Sequence, residues 1–329
     1  MKGLQHFMAY ISCRCSALVR CHDENCDSWR DRADWHSPGG RTAQEHRSRA
    51  RDRPRHGYKL ARLFPDTAVE KRAADILDAD ATLLAVEGCD LVYDCIGLPG
   101  DRMHLHPVTA RNIAGAVRHT KARCVQVSSY WAYYPQVRTE MNEGHPRDGG
   151  PPWVLYRREA EDILSQAGAA TLHLPDFYGP HVHVSTLQNA LNEAASGKTV
   201  NWLGNADVQR EYIYVPDAMR IAAAIGARAE AFGAHWCLPG SGPLSGRRAT
   251  EIAQRHLGRS VKLRSAGLLT LRVVSLFNRD LRGLLQVAPD YTKPAHYDAR
   301  KLQGLLGPQR MTSYDDGIGQ TLAWISQSR

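Results

Sequence analysis

The sequence predicts an α/β protein built on a doubly wound parallel sheet, and three observations carry that prediction. From Val69 onward, short β-branched and apolar runs alternate with stretches of helical periodicity, the pattern of strands joined by helical crossovers. The run Cys124-Val125-Gln126-Val127-Ser128-Ser129 ends abruptly in hydroxyl residues and an aromatic loop, as a buried strand does when it opens on a ligand cleft at its carboxyl end. Some two dozen residues on, Trp153 to Leu164 places Leu155, Ala160, Ile163 and Leu164 at helical spacing.

In chain order, residues 1–56 stand apart. They are rich in Arg, Asp, His and Cys, poor in Val, Ile and Leu, and keep no period of 2 or 3.6, which argues for loop or disorder. A dinucleotide fold opens with an apolar strand and a glycine-rich turn that admits a pyrophosphate to a helix N-terminus. Gly39-Gly40 is the one glycine pair in this segment, and no apolar strand precedes it. Two readings stay open, a divergent leader or a shifted reading frame; in either, the pyrophosphate site departs from the expected form.

Lys71 to Leu77 reads as a short strand ending in an acid, and Ala79 to Glu87 as a helix. Cys89 to Pro99 is a strand broken by a Gly-Leu-Pro turn, and Pro107 to Thr120 a helix leading into the Ser129 strand. Ala170 to Leu174 is the next strand. Past Pro180 come helices over 186–195, 217–229 and 249–257, the last closed by Gly258, with extended segments over 198–203 and 235–240 between them.

Composition bounds the function. An apolar fraction of 43% with 23% charged residues is that of an ordinary globular protein. The net charge of +8 is concentrated between Arg30 and Arg72 without aromatic-basic interleaving, so nucleic acid is not the expected partner; a phosphorylated cofactor suits a basic cleft better. Of eight cysteines, Cys13, Cys15, Cys21 and Cys26 lack the paired spacing of zinc sites, so no metal is expected. Cys89, Cys95, Cys124 and Cys237 sit among apolar residues and read as buried thiols of a reducing compartment. No apolar run approaches the roughly 20 residues that span a bilayer, and Arg14 interrupts the N-terminal apolar stretch, so a cytoplasmic protein with no membrane partner is expected.

Several motifs in order resemble the extended short-chain dehydrogenases/reductases, the NAD-dependent epimerase/dehydratase family. They are the Val127-Ser128-Ser129 strand end, Thr139-Glu140-Met141-Asn142-Glu143, Arg158-Glu159-Ala160-Glu161, Leu174-Pro175-Asp176-Phe177-Tyr178-Gly179-Pro180 and Arg210-Glu211-Tyr212-Ile213-Tyr214-Val215-Pro216-Asp217. The resemblance runs from about His56, where His56 to Arg62 looks like the family's second strand, to the C-terminus. It implies a Rossmann-like NAD(P)-binding core over 57–180 and a smaller, mainly substrate-binding lobe over 181–329, with 210–240 returning to the core. A homodimer through core helices is a family expectation.

In the family a Ser or Thr hydroxyl polarises the reacting oxygen, a Tyr four residues before a Lys exchanges the proton, and the Lys holds the ribose. Ser129 matches the first role; its plain alternative is a hydroxyl that caps the loop. Registering Arg157 to Glu161 on the family's Lys-x-Glu-Ala-Glu puts Arg157 at the lysine and Trp153 at the tyrosine. An indole N–H only donates, so Trp153 cannot cycle a proton. Arg157 can hold a ribose but, being permanently charged, cannot relay protons. Tyr156, one turn from Trp153, is the candidate proton carrier, against an ordinary amphipathic-helix tyrosine. By register, Asp75 and Ile76 would hold adenine, Gly97 would pass ribose and phosphates, and Pro175 the nicotinamide; Arg62 would suit a 2′-phosphate and tilts the cofactor from NAD toward NADP. Tyr133, Asp176, Tyr178 and Arg210 would face a small-molecule substrate. The resemblance thus implies hydride transfer on a nucleotide-sugar-like or small carbonyl/hydroxyl substrate. The alternatives are a non-catalytic NAD(P)-binding sensor or scaffold, or a product with a damaged cofactor site.

Overall fold

The computed structural model describes residues 9–11, 17–20, 70–98, 100–182, 185–266 and 280–327. The chain divides into two compact units: Met1–Gln126 with Glu159–Ala169, and Val127–Arg158 with Ala170–Arg329.

The first unit is α/β. Strand β1 (Ala9–Ile11) runs antiparallel to β2 (Ala17–Arg20), which runs parallel to β3 (Glu70–Ala73). These two N-terminal strands correct the reading of residues 1–56 as loop throughout; at three and four residues they are too short for an alternation to register in sequence. Only Ser12-Cys13-Arg14-Cys15-Ser16 separates them, with no glycine among the five. Helix α1 (Ala79–Val86) starts where the Asp78 carboxylate accepts from Asp80 N and Ala81 N. β4 (Leu91–Asp94) pairs in parallel with the start of β5 (Arg123–Ser129), with Leu91 opposite Arg123 and Asp94 opposite Gln126. Between them, after a 3-10 turn at Gly100–Leu105, α2 (His106–Thr120) begins with Pro107 in its first turn and ends on Lys121 in the left-handed region. Ile76, Val86, Val92, Ile113, Val117, Cys124 and Leu164 form the core of this unit.

The second unit takes over within β5. A 3-10 turn (Tyr130–Tyr133) follows at once, then β6 (Glu140–Met141) and α3 (Pro152–Gln166), whose residues from Glu159 count with the first unit. β7 (Ala170–Leu174) is buried at every position, as a central parallel strand is, and β8 (Asp176–Tyr178) continues it after Pro175. α4 (Thr186–Ala195) is capped by the Ser185 hydroxyl. β9 (Val200–Leu203) and β10 (Gln209–Tyr214) precede α5 (Val215–Gly226) and β11 (His235–Cys237), which pairs in parallel with β7. β12 (Pro243–Ser245) leads into α6 (Gly246–Leu257), closed by Gly258 at φ +62° as expected. β10 stands between β8, parallel, and β12, antiparallel. The chain ends with β13 (Leu263–Ala266) beside β9, α7 (Asp280–Tyr291), β14 (His296–Tyr297) beside β6, α8 (Arg300–Leu306) and α9 (Tyr314–Gln327). Its main core gathers Leu187, Leu191, Trp202, Ile252, Ile318 and Leu322 from α4, β9, α6 and α9. Among the described residues no helix is long and apolar enough to cross a membrane.

Candidate functional site

In the second unit, β5 delivers Ser129 at its final position with extended backbone. The Ser129 Oγ is buried and has no hydrogen-bond partner. A buried hydroxyl left unpaired costs about 1–3 kcal/mol, so it is poised to take a partner from a bound molecule. The turn after it carries Tyr130, Trp131 and Tyr133. The Trp131 ring meets those of Tyr130 at 4.3 Å, Trp153 and Tyr291 each at 5.7 Å, and Tyr134 at 6.0 Å between centroids. The first turn of α3 is thereby joined to the turn that follows the serine.

Trp153, Tyr156 and Arg157 are half-buried and share one face of α3, as spacings of three and four residues dictate. The Trp153 indole donates to Gln286 Oε1 at 2.9 Å, and the Tyr134 hydroxyl donates to the Gln286 carbonyl, so α7 is tied to the same aromatic group. The neighbouring, inward face carries buried Val154 and Arg158. Arg158, 6% exposed, donates to three backbone carbonyls: Ala132 and Tyr134 in the turn, and Gly149 before the helix.

The residues expected at the substrate are placed differently. Tyr133 is 1% exposed; its hydroxyl lies 2.6 Å from His173 Nδ1 and 3.7 Å from Cys237 Sγ, so it is built into the core and not turned to a cleft. Tyr178 is fully buried against Tyr214 and Tyr314, and burial pushes its phenol pKa up. Arg210 is 4% exposed: its Nη1 donates to the Asp290 carbonyl at 2.6 Å and the Lys293 carbonyl at 2.7 Å, with the Tyr130 and Tyr291 rings 5.6 and 5.1 Å from the guanidinium carbon. A cation whose short bonds go to backbone carbonyls is a structural clamp. Asp176 is half-buried, and its Oδ2 accepts from Thr186 N at the start of α4 and from the Tyr291 hydroxyl at 3.5 Å. Burial raises its carboxyl pKa against those hydrogen bonds. Pro175 is buried between β7 and β8.

In the first unit, Asp75 follows β3 with its Oδ1 accepting from Leu77 N, and the Ile76 carbonyl accepts from Asn112 Nδ2. Gly97 follows a turn in which Asp94 Oδ1 accepts from Ile96 N. Both lie just past the carboxyl ends of strands, where α/β sheets take ligands. Arg62, the basis of the lean to NADP, lies outside the described residues, as does the His56–Arg62 strand. Of the four thiols expected to be buried, Cys89, Cys124 and Cys237 are, and Cys95 is half-buried.

Sequence reasoning missed Arg158, His173, Gln286 and Asp290. Arg158 follows Val154 by four residues, a signal that it shares the inward face. His173 stands in the middle of an otherwise apolar strand, which places it in the core but names no partner. Gln286, and Asp290 apart from its contact with Lys293, bind residues distant in sequence, and no local pattern marks them.

The model of the NAD dependent epimerase/dehydratase family matches residues 40–235. Among solved structures, UDP-glucuronic acid 4-epimerase from Bacillus cereus in complex with NAD is similar at TM-score 0.67 and 15% identity, over 82% of this chain and 85% of that one. The dTDP-glucose 4,6-dehydratase DesIV from Streptomyces venezuelae, with NAD bound, is similar at 0.67 and 17%, over 83% and 84%. The epimerase Mth375 from Methanothermobacter thermautotrophicus is similar at 0.67 and 15%, over 80% of each. At such identities the likeness is one of fold, and it bears out the Rossmann-like α/β class. No curated protein matches by sequence.

Proposed function

Because the chain belongs to the NAD-dependent epimerase/dehydratase family, we propose that it is an NAD-dependent oxidoreductase acting by hydride transfer on a nucleotide-sugar-like or small carbonyl/hydroxyl substrate. The observation that carries the reading is the unpaired, buried Ser129 hydroxyl at the end of β5, beside the aromatic turn. Two family members of similar fold hold NAD, and nothing described in this chain supports NADP over it.

Within the first unit, Asp75 and Ile76 past β3 would hold adenine and Gly97 past β4 would pass the ribose. Within the second, Ser129 offers an orphaned hydroxyl for the reacting oxygen. The five residues between β1 and β2, Ser12 to Ser16, lack the glycines of the family's pyrophosphate turn, so no role is derived for that segment. NAD, when bound, supplies the hydride acceptor.

The chain's own residues do the rest. Ser129 donates to the substrate oxygen as its bond order changes, which holds that oxygen and stabilises charge developing on it. Arg157, fixed in charge, holds ribose hydroxyls. Trp153 takes the position of the usual tyrosine, and its N–H is committed to Gln286. The proton therefore passes through Tyr156, one turn on, or through a water.

The test is Ser129→Ala, assayed for conversion of UDP-glucuronic acid and of dTDP-glucose in the presence of NAD. Loss of one positioned donor lowers kcat by about 10²-fold or more while NADH affinity stays at the wild-type value. Unchanged turnover removes Ser129 from the chemistry. Binding of NADH without turnover on any such substrate, in the wild type as in the variant, moves the protein to a dinucleotide sensor.

A further inference from the structure

The functional reading names the groups that meet substrate but not what holds them in register. Those groups sit on two separate pieces of the second unit, the turn after Ser129 and the first turns of α3. Two neutral hydrogen bonds already link α7 to both, yet Gln286, which makes them, is exposed. A buried link is needed to fix the geometry against solvent.

Resting on the Ser129 reading, we propose that Arg158 is the positioning residue of the site: one buried guanidinium that binds the turn following Ser129, the loop entering α3 and α3 itself into a single rigid piece. Its Nε donates to Ala132 O at 2.7 Å, its Nη2 to Tyr134 O at 2.5 Å and its Nη1 to Gly149 O at 2.6 Å. The three nitrogens of the fork thus each hold a different carbonyl, and two of the three carbonyls belong to the stretch that starts one residue after Ser129.

The loop is shaped for this contact. Gly149 and Gly150 both adopt left-handed backbone, with φ of +64° and +100°. A Cβ at Gly150 would stand 3.2 Å from Tyr134 O and 3.4 Å from the Val154 side chain, so the loop passes directly against the carbonyl that Arg158 Nη2 holds. Val154 and Arg158, four residues apart, form the inward face of α3, and Trp153 and Arg157 the neighbouring one. Fixing the first face fixes the second. The Trp131–Trp153 approach at 5.7 Å follows from that lock, since Trp131 rides on the turn and Trp153 on the helix.

Arginine is required by the geometry. A lysine ammonium carries its donors on one atom and cannot span three carbonyls that approach a planar fork from three sides. Arg158 touches no substrate: it is 6% exposed and its three nitrogens are turned to the protein's own carbonyls. It acts on Ser129, Trp153, Tyr156 and Arg157 only by holding their supports.

The test uses the full chain as wild type, Arg158→Lys and Arg158→Ala. Two readouts go beyond stability: the near-ultraviolet circular dichroism of the Trp131–Trp153 pair, and the Kd for UDP-glucuronic acid in the presence of NAD, followed by tryptophan quenching. In Arg158→Lys the near-ultraviolet band loses most of its amplitude with the far-ultraviolet spectrum unchanged. The Kd rises at least about tenfold, since one charge-assisted bond is worth that factor or more. In Arg158→Ala, millimolar guanidinium restores both signals and ammonium does not; if that variant fails to fold, Arg158→Lys carries the test. A Lys variant that melts earlier yet keeps the wild-type band and Kd overturns the proposal and leaves Arg158 a stability residue. A wild type that does not bind the probe sinks the functional reading and the site role with it, whereas the near-ultraviolet band still reports separately whether Arg158 sets the turn.

Discussion

Replacing Arg210 by methionine separates a substrate-binding role from the clamp the structure shows. The guanidinium makes two short bonds to carbonyls, at 2.6 and 2.7 Å, a longer one of 3.4 Å to Gln136 Oε1, and lies near two tyrosine rings. Two charge-assisted bonds contribute about 1.5–3 kcal/mol each, and the two ring contacts about 0.5–1 kcal/mol each. Methionine returns part of this by removing the cost of burying a cation, but it takes the Arg210 donor from the Lys293 carbonyl and leaves the Asp290 carbonyl with Lys293 N at 3.1 Å. The net expectation is a loss of about 2–4 kcal/mol, that of two charge-assisted bonds with part of it returned by the unburied cation. In a unit of this size that lowers the melting midpoint by roughly 10 °C. Differential scanning calorimetry and urea unfolding of Arg210→Met measure it, with Arg210→Lys falling between. A change below about 1 kcal/mol, the range of a residue that is not structurally engaged, would refute the clamp and return Arg210 to the substrate.

Two further outcomes follow from the same unit and its neighbour. His145 is held neutral, its Nδ1 donating to Pro146 O at 2.9 Å and its Nε2 accepting from Val137 N at 3.3 Å, and burial lowers its pKa. A histidine with a depressed folded pKa contributes fully above its unfolded value near 6.5 and loses that contribution as pH falls through it. Urea midpoints should therefore decline from pH 7 toward pH 5, and less steeply in His145→Gln; identical slopes would remove His145 from the cause. Burial raises the thiol pKa of Cys124, with Asp94 adding to it, and of Cys237, with Glu143 adding to it. Both should resist a disulfide reagent at neutral pH in the folded protein and react once urea unfolds it; rapid labelling of either in the native chain, read by peptide mass, would contradict the burial.

Many of the elements from Val69 onward were legible in the sequence because each of those carries its own local signal. Period-3.6 apolar spacing marks α3, Gly258 marks the end of α6, and the abrupt change from Val127 to Ser128-Ser129 marks where β5 stops. The strands at Ala9–Ile11 and Ala17–Arg20 were not, since three or four residues in a polar segment hold no period and are made strands by pairing with one another and with β3. The place of Ser129 at the end of β5 was legible because a strand end is a one-dimensional fact. The roles of Tyr133 and Arg210 were not, because the same residues serve equally at a cleft or in a core. What decides between the two is His173 from β7 and Asp290 from α7, contacts 40 and 80 residues away in sequence. Arg158 illustrates the same limit: adjacent to Arg157 in sequence, it points inward from the neighbouring face of the helix, and the three carbonyls around it show what it does.

The most direct test of the account is titration of the folded, full-length chain with NADH and then UDP-glucuronic acid, in wild type and Ser129→Ala, by calorimetry. An NAD-dependent oxidoreductase built around Ser129 predicts NADH binding that is the same in both, and a bound sugar nucleotide held more weakly once the orphaned hydroxyl is gone. A folded chain that binds neither ligand, or that binds the sugar nucleotide equally well without the hydroxyl, contradicts it.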